Sequence, residues 1–312
     1  MKIWIILISF TVFTFEISAQ SESIVFQSGT EGYDTFRIPA IIQDSDGTLL
    51  AFSEGRVNSS SDFGNVDIVL KTSDDKGKTW SPIKILVDNS SIQAGNCTPV
   101  VDFFDPKYPN GRIFLFYNTG DNFEHEIRKG NGIREVWYIC SEDGGSSWSI
   151  PVNITSQVHH PNFPSKGYQD KEDWRSYANA PGHALQMNQG KYKGRIIVPA
   201  NHSFGDPQEH FEDYRSHIFY SDDHGKSFHL GETISLPGSN EAIATEGKSG
   251  ELILNMRDQT GLSKRRFVAL SSTGGETWDS QITDSSLIDP VCQGSILSFF
   301  NKKGKIQYII FS

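Results

Sequence analysis

The chain has 312 residues, with 38 acidic and 28 basic side chains and a formal net charge of -10. Hydrophobic residues make up 37% of it and charged residues 21%, a balance typical of a packed globular protein that excludes disordered and collagen-like classes. The sequence has no block of Lys and Arg, which argues against a nucleic-acid or anionic-membrane surface. An anionic substrate would therefore need a local basic pocket.

The first twenty residues have the pattern of a cleaved secretory signal. Lys2 precedes an apolar run from Ile3 to Phe15, and small residues follow at Ser18 and Ala19. This run is too short to span a bilayer, and no other segment approaches the length of a membrane span. We predict a signal peptide at residues 1–20 and one exported domain at 21–312, without a transmembrane segment. Export would place it in a periplasmic, extracellular or lumenal compartment.

The rest of the chain shows apolar alternation and almost no helical periodicity, which predicts an all-β protein. Short helices or long loops are expected only near 120–134 and 158–174. The predicted strands are rich in β-branched and aromatic residues, and they are bounded by Gly, Asn, Asp and Pro. They include 37–42, 49–52, 67–71, 112–117, 135–140, 195–199, 217–220, 251–255, 267–270 and 305–311.

A short motif recurs between pairs of these strands. The pattern Ser-x-Asp-x-Gly-x-Ser/Thr-aromatic begins at Ser73, Ser141 and Ser221, and a degraded fourth copy begins at Ser271. Each copy predicts a hairpin turn in which the Asp binds turn amides, the Gly accepts a positive φ and the aromatic fixes the turn to its own blade. Four copies at long intervals favour a β-propeller over a sandwich. Asp75, Asp143 and Asp223 are thus expected to be structural.

These turns, together with Phe36-Arg37-Ile38-Pro39, resemble the exo-α-sialidases (neuraminidases) of the bacterial and animal type. The resemblance runs from about residue 26 to 312 and includes the segments 54–56, 61–67, 95–102, 177–183, 240–241 and 254–258. It implies a six-bladed β-propeller whose last blade is incomplete in this chain. It also implies hydrolysis of terminal α-linked sialic acids on glycoproteins, gangliosides and oligosaccharides, with no cofactor and no metal.

Two arginines are suited to hold a carboxylated sugar. Arg37 begins a β run and Arg257 ends another, and guanidinium groups bind carboxylates bidentately at all working pH values. The resemblance implies that both belong to a three-arginine clamp on the substrate carboxylate. It further implies that Arg56 lines the same pocket and that Asn96 contacts the O4 and N-acetyl side of the sugar.

The candidate catalytic groups are two carboxylates. Asp62 lies on a loop 25 residues after Arg37, an offset that matches the family's general acid/base, and Asp67 is its nearest rival. Glu241 lies 16 residues before Arg257 and matches the residue that accepts a proton from the nucleophile. Glu246 is the alternative to Glu241.

The family's nucleophile is a tyrosine, for an electrostatic reason. The anomeric carbon of sialic acid carries a carboxylate that would repel an anionic nucleophile, whereas a neutral phenol can approach it. We expect the third clamp arginine and this tyrosine to lie beyond Ser312, so that a longer product is active and this chain alone has little activity. Tyr308 is expected to pack in a strand.

Other polar and aromatic residues have weaker signals. The histidines at 159, 160, 202, 210 and 217 lack metal-ligand spacing, and Tyr177 is a candidate for the glycerol or aglycone side of the sugar. Two further functions stay open. One is a non-catalytic sialoglycan-binding propeller, and the other is transglycosylation.

Overall fold

A computed structural model describes residues 22–312 of the chain. The predicted signal peptide at residues 1–20 lies outside the described residues and stays a prediction. The described part is built from short β-strands arranged in successive antiparallel sheets. None of its helices is long and apolar enough to cross a bilayer.

The first eight strands form two four-stranded sheets in chain order, and a single parallel pair, Val66 with Gln93, joins these two sheets. The first contains β1 (Thr35–Gln43), β2 (Leu49–Arg56), β3 (Val66–Ser73) and β4 (Lys84–Val87). The second contains β5 (Gln93–Asp102), β6 (Arg112–Gly120), β7 (Arg134–Ser141) and β8 (Val152–Asn153). A one-turn helix, α1 (Glu124–Ile127), lies between β6 and β7.

An irregular segment leads from the second sheet to the third. It contains α2 (Thr155–Val158), a two-stranded sheet of β9 (Asn162–Phe163) and β10 (Tyr168–Gln169), and between these strands a 3-10 turn (Pro164–Lys166). The third sheet contains β11 (Trp174–Asn179), β12 (Leu185–Gln186), β13 (Ile196–Phe204), β14 (Tyr214–Ser221) and β15 (His229–Leu230). The fourth contains β16 (Ser239–Glu246), β17 (Leu252–Asp258), β18 (Arg265–Ser271) and β19 (Ser280–Ile288).

The last sheet has two strands, β20 (Ile296–Phe300) and β21 (Ile306–Phe311). With the four sheets before it, it confirms the prediction of an all-β propeller of the sialidase type, while an incomplete last of six blades stays a prediction. Tyr308 lies within strand β21 opposite Phe299, as expected, and its side chain is 59% exposed.

Apolar side chains fill the spaces between successive sheets. Phe52 and Leu70 of the first sheet pack with Leu115 of the second, and Phe116 of the second meets Phe219 of the third edge to face at 5.6 Å between ring centroids. A third cluster joins the third and fourth sheets. Because the second and third sheets are covered on both faces by their neighbours, their central strands β6 and β13 are almost wholly buried.

The repeated motifs form turns that join the last two strands of each of the first four sheets, as predicted. Asp75 Oδ1 accepts hydrogen bonds from the amides of Lys78 and Thr79, both at 2.9 Å, and bonds from Thr79 lower the Asp75 pKa to about 2. In the degraded fourth copy, Thr273 Oγ1 replaces the carboxylate and accepts a bond from the Thr277 amide at 2.9 Å. The turn geometry therefore survives the loss of the Asp.

The motif aromatics contact their own blade, as predicted, and also the preceding sheet, which was not predicted. Trp148 of the second sheet meets Phe52 of the first edge to face, and Phe228 of the third meets Phe116 of the second. The motif glycines are equally close, since a Cβ added at Gly225 would lie 2.7 Å from the Phe114 ring. The motif thus binds neighbouring blades together.

Candidate functional site

The first strand of each four-stranded blade has a β-bulge at the same place. Two residues of β1, β5, β11 and β16 lie opposite one residue of the neighbouring strand. The bulged residues are Ile38 and Pro39, Asn96 and Cys97, Arg175 and Ser176, and Asn240 and Glu241. Such bulges bend a strand and redirect its side chains, and they are frequent beside active sites. Ile38 and Asn96 adopt φ values of 56° and 59°, which a β-branched residue such as Ile rarely does.

The bulges of β1, β5 and β16 border one cavity of about 290 Å³. All six residues predicted for the site line it, although they come from five strands and a loop. They are Arg37 on β1, Arg56 on β2, Asp62 on the β2–β3 loop, Asn96 on β5, Glu241 on β16 and Arg257 on β17. The fold therefore brings together side chains separated by up to 220 positions, while the role of each remains a prediction.

The cavity wall is rich in charge of both signs. Its lining includes four arginines and four carboxylates. The arginines are Arg37, Arg56, Arg134 and Arg257, and the carboxylates are Glu54, Asp62, Glu124 and Glu241. Which of these charges neutralise one another decides what the cavity can bind.

Asp62 is held by Arg56. The Arg56 Nη1 atom lies 2.7 Å from Asp62 Oδ1 and donates to the Ser60 carbonyl at 2.6 Å. On its other side, Arg56 donates to Glu54 Oε2 from Nε at 3.1 Å and from Nη2 at 2.6 Å. Glu54 is 1% exposed, and this burial raises the pKa of its carboxyl against the opposing effects of Arg56 and the Asn96 amide. Asp62 itself is 73% exposed and open to a ligand.

Glu241 and Arg257 form the second pair. Arg257 Nη1 donates to Glu241 Oε2 at 2.7 Å, and both side chains are 22% exposed. The bulge at Asn240 and Glu241 sets Arg257 opposite these two residues in the sheet register. Arg257 Nε is buried without a hydrogen-bond partner among the described residues. The pair can thus offer a donor and an acceptor to one ligand.

Arg37 and Arg134 supply positive charge that is not neutralised in the cavity. Within residues 22–312 neither guanidinium has a carboxylate partner, and Arg134 is 8% exposed. The remaining carboxylate, Glu124, accepts a hydrogen bond from the Tyr214 hydroxyl. The cavity is therefore suited to an anion despite the acidic net charge of the chain. Arg37 also borders an adjoining groove of about 570 Å³, which it shares with Glu241 and Arg257.

The alternative candidates for the catalytic carboxylates lie outside the cavity. Asp67 is buried and accepts a hydrogen bond from the Tyr33 hydroxyl at 2.8 Å, and Glu246 is fully buried and accepts the amides of Asn188 and Gln189. Neither lines the cavity. Tyr177 is fully buried, with its hydroxyl 3.2 Å from His217 Nε2, so its prediction as a ligand contact is wrong.

Several lining residues were missed by sequence reasoning. Arg134 and Glu124 lie at the edges of a segment without clear periodicity, and nothing in their spacing indicated a site. Glu54 had a usable signal, because an acidic residue two positions from Arg56 on a strand lies on the same face of the sheet. Asn201, Asn240 and Gln259 add amide groups to the wall.

Two groups of side chains in the described residues are close enough to hold a cation, and both lie away from the cavity. Asp102, Asp105 and His224 form one, and His160, Asp170 and Glu172 the other. Their ligand atoms already have protein partners, since His224 Nδ1 lies 2.8 Å from Asp102 and His160 Nδ1 lies 2.8 Å from Asp170. The absence of a metal from the proposed chemistry stays an expectation.

A family model and a similar solved structure define the class of protein. Residues 47–310 match the family model described as BNR repeat-like domain, and the chain belongs to that family. Among solved structures it is similar to a Hadza microbial sialidase, with a TM-score of 0.72 and 24% identity over 91% of this chain and 54% of the other. That likeness shows the propeller fold.

The relatives found by sequence identify the family within that class. The chain is 31% identical over 290 residues to a sialidase of Micromonospora viridifaciens, covering 88% of this chain and 40% of the relative. It is 29% identical over 299 residues to sialidase-3 of Bos taurus, covering 90% of this chain and 66% of the relative. The predicted resemblance to the exo-α-sialidase family is confirmed, and the chain spans less than two thirds of the length of each of these relatives.

Proposed function

We propose that this chain forms the sialic acid-binding and acid/base part of an exo-α-sialidase, which hydrolyses terminal α-linked sialic acids on glycoproteins, glycolipids and oligosaccharides. The observation that supports this proposal most strongly is that six residues predicted from separate motifs line one cavity. The sialidases among its sequence relatives support the same reaction.

The substrate carboxylate is bound by arginines. Arg37 has no carboxylate partner among the described residues, and Arg257 contacts the same groove beside it. Planar guanidinium groups form paired hydrogen bonds to a carboxylate, so these two side chains recognise the feature that distinguishes sialic acid from neutral sugars. Asn96, at the β5 bulge, takes the O4 and N-acetyl side.

Asp62 is the general acid and base. It protonates the departing glycosidic oxygen and then removes a proton from the attacking water. Its exposure leaves it accessible to the aglycone, and the Arg56 ion pair fixes its position on an otherwise irregular loop.

Glu241 accepts the proton of a tyrosine nucleophile in a retaining mechanism. The hydroxyl oxygen attacks the anomeric carbon, the glycosidic bond breaks, and the phenolic proton passes to Glu241. Among residues 22–312, those that line the cavity include no tyrosine. We therefore propose that the nucleophile lies outside the described residues.

The test measures sialic acid released from 3′-sialyllactose by the 312-residue chain and by any longer product of the same gene. We expect the longer product to be active and the chain to show little turnover. Asp62→Ala in the active product should lower the rate at least 100-fold, because general acid–base catalysis contributes about 10²–10⁴-fold. The control is Asp206→Ala, since Asp206 is also exposed and also paired with an arginine. Equal rates in both variants would contradict the role of Asp62.

A non-catalytic sialoglycan-binding propeller is the second candidate. The lack of a tyrosine among the described lining residues favours it for this chain taken alone. It predicts that 3′-sialyllactose binds while neither product releases sialic acid, and that Arg257→Ala weakens binding.

A further inference from the structure

A buried carboxylate connects three of the predicted site residues. Glu54 is 1% exposed, and both of its oxygens are used. Oε2 accepts two hydrogen bonds from Arg56, and Oε1 accepts the backbone amide of Asn96 at 2.9 Å. Arg56 in turn contacts Asp62. One side chain on β2 thereby links a neighbouring strand and a loop that both border the cavity.

The surrounding backbone is shaped to this carboxylate. A Cβ added at Gly95 would lie 2.3 Å from Glu54 Oε1, so any side chain there would displace the carboxylate. The next residue, Asn96, has a φ of 59° and begins the β5 bulge. Its side chain donates from Nδ2 to the Asn179 carbonyl at 3.1 Å. The conformation that presents Asn96 to the cavity is therefore coupled to Glu54.

Stability alone does not account for this arrangement. Removing a carboxylate from water is costly, and a buried ion pair is often replaceable by apolar residues without loss of stability. Burial raises the pKa of the Glu54 carboxyl and so disfavours its charged form, while Arg56 and the Asn96 amide favour that form. What the arrangement supplies is a fixed direction for the Arg56 guanidinium, whose planar donors face Glu54 on one side and Asp62 and Ser60 on the other.

We propose that Glu54 is a positioning residue, which orients Arg56 and Asn96 directly and Asp62 through Arg56. This inference rests on the proposed function, because it names the residue that sets the geometry of the sialic acid site. Glu54 is 1% exposed and both of its oxygens are taken by Arg56 and the Asn96 amide, so its role is to position these residues although it borders the cavity.

The experiment compares Glu54→Gln with Glu246→Gln in the full chain. Glu246 is a matched control because it is also a fully buried β-strand carboxylate, accepts two backbone amides and lies outside the cavity. Two quantities are measured by NMR: hydrogen exchange at the Arg56 Nε–H, and the affinity for 3′-sialyllactose. Thermal unfolding of each variant records any general loss of stability.

Both variants are expected to unfold at lower temperature. Only Glu54→Gln should raise the exchange rate of the Arg56 Nε–H at least tenfold and weaken 3′-sialyllactose binding at least tenfold. In this variant an amide NH₂ replaces an acceptor oxygen and faces the donors of Arg56. The proposal would be overturned if the Arg56 Nε–H exchange rate and the affinity for 3′-sialyllactose both stayed within twofold of wild type. It would also be overturned if the exchange rate rose while the affinity did not change.

A second variant and a separate readout cover two outcomes that the first comparison leaves undecided. If Glu54→Gln does not fold, Gly95→Ala displaces the same carboxylate through a contact of 2.3 Å, and the same two quantities decide. If the wild-type chain binds no 3′-sialyllactose, the proposed function fails. The exchange rate of Arg56 then decides separately whether Glu54 orients it.

Discussion

Three histidines are buried beside one another, two of them in the third blade and His159 in the segment that precedes it. His202 stacks on Trp174 with ring centroids 3.4 Å apart, and its Nδ1 lies 3.1 Å from His217 Nδ1. His159 packs on Tyr177 at 4.5 Å between ring centroids. Burial lowers the pKa of all three imidazoles, and that of His217 to about 3. They are therefore neutral in the folded protein at neutral pH.

This cluster predicts that the protein loses stability in mild acid. The unfolded chain gains protons on these histidines below about pH 6.5, whereas the folded chain does not gain one on His217 until about pH 3. Stability is thus highest above pH 6.5 and falls as the pH decreases from 6.5 toward 3. His217 alone contributes a slope of about 1.4 kcal/mol per pH unit in the free energy of unfolding.

Urea unfolding at pH 5, 6 and 7 measures that slope. His217→Gln should reduce it by about 1 kcal/mol per pH unit over this range, since the replacement does not titrate and the histidine of the unfolded chain is only partly protonated near pH 6.5. His210→Gln, which changes an exposed histidine, should leave the slope as it is. An unchanged slope in His217→Gln would show that another group causes the acid sensitivity.

At the residue scale, sequence motifs predicted which side chains line the cavity better than they predicted the side chains that support them. Asp62 and Glu241 were found through their offsets from Arg37 and Arg257, and both line the cavity. Glu54 was part of a quoted motif but was given no role. Its partners are a residue two positions away and a backbone amide 42 positions away, and only the folded sheet reveals that second contact.

At the scale of elements, the motif turns hold successive blades together. Gly225 has a φ of 77°, and a Cβ there would lie 2.7 Å from Phe114 of the second blade. Glycine is thus required for two reasons, the positive φ and the close approach of a neighbouring blade. The other motif glycines, Gly145 and Gly275, make similar contacts with Leu50 and Ile218.

Gly225→Ala should destabilise the protein by about 2 kcal/mol or more, because strain from positive φ and overpacking add. The control is Gly29→Ala, whose φ of 79° is nearly the same and whose Cβ would contact nothing within 4 Å. This control measures only the stability lost when a residue with a Cβ adopts a positive φ, which is about 1 kcal/mol. Chemical denaturation measures both free energies of unfolding, and equal losses would contradict the packing role.

Periodicity and turn residues predicted the strands and the hairpins, because those signals are local. They did not predict the bulges of β1, β5, β11 and β16. A bulge shifts the register by one residue, and its sequence is no different from that of a regular strand. The contacts of Trp148 and Phe228 with the preceding blade were also missed, since they depend on how blades pack.

At the scale of the whole molecule, a chain with a net charge of -10 forms a cavity suited to an anion. It does so by pairing Arg56 and Arg257 with carboxylates and leaving Arg37 without one among the described residues. The composition predicted that any anionic ligand needs a local basic pocket, and the propeller supplies it by bringing several strands to one place. The central claim is that this cavity recognises the carboxylate of sialic acid.

Calorimetric titration of the 312-residue chain with 3′-sialyllactose and with lactose tests that claim most directly. We predict that 3′-sialyllactose binds and lactose does not, and that Arg37→Ala weakens binding about tenfold or more, since hydrogen bonds between charged groups are worth about 1.5–3 kcal/mol. Arg265→Ala, at an arginine outside the cavity, should bind as wild type does. Equal binding of the two sugars, or equal affinity of the two arginine variants, would show that the cavity does not recognise the sialic acid carboxylate.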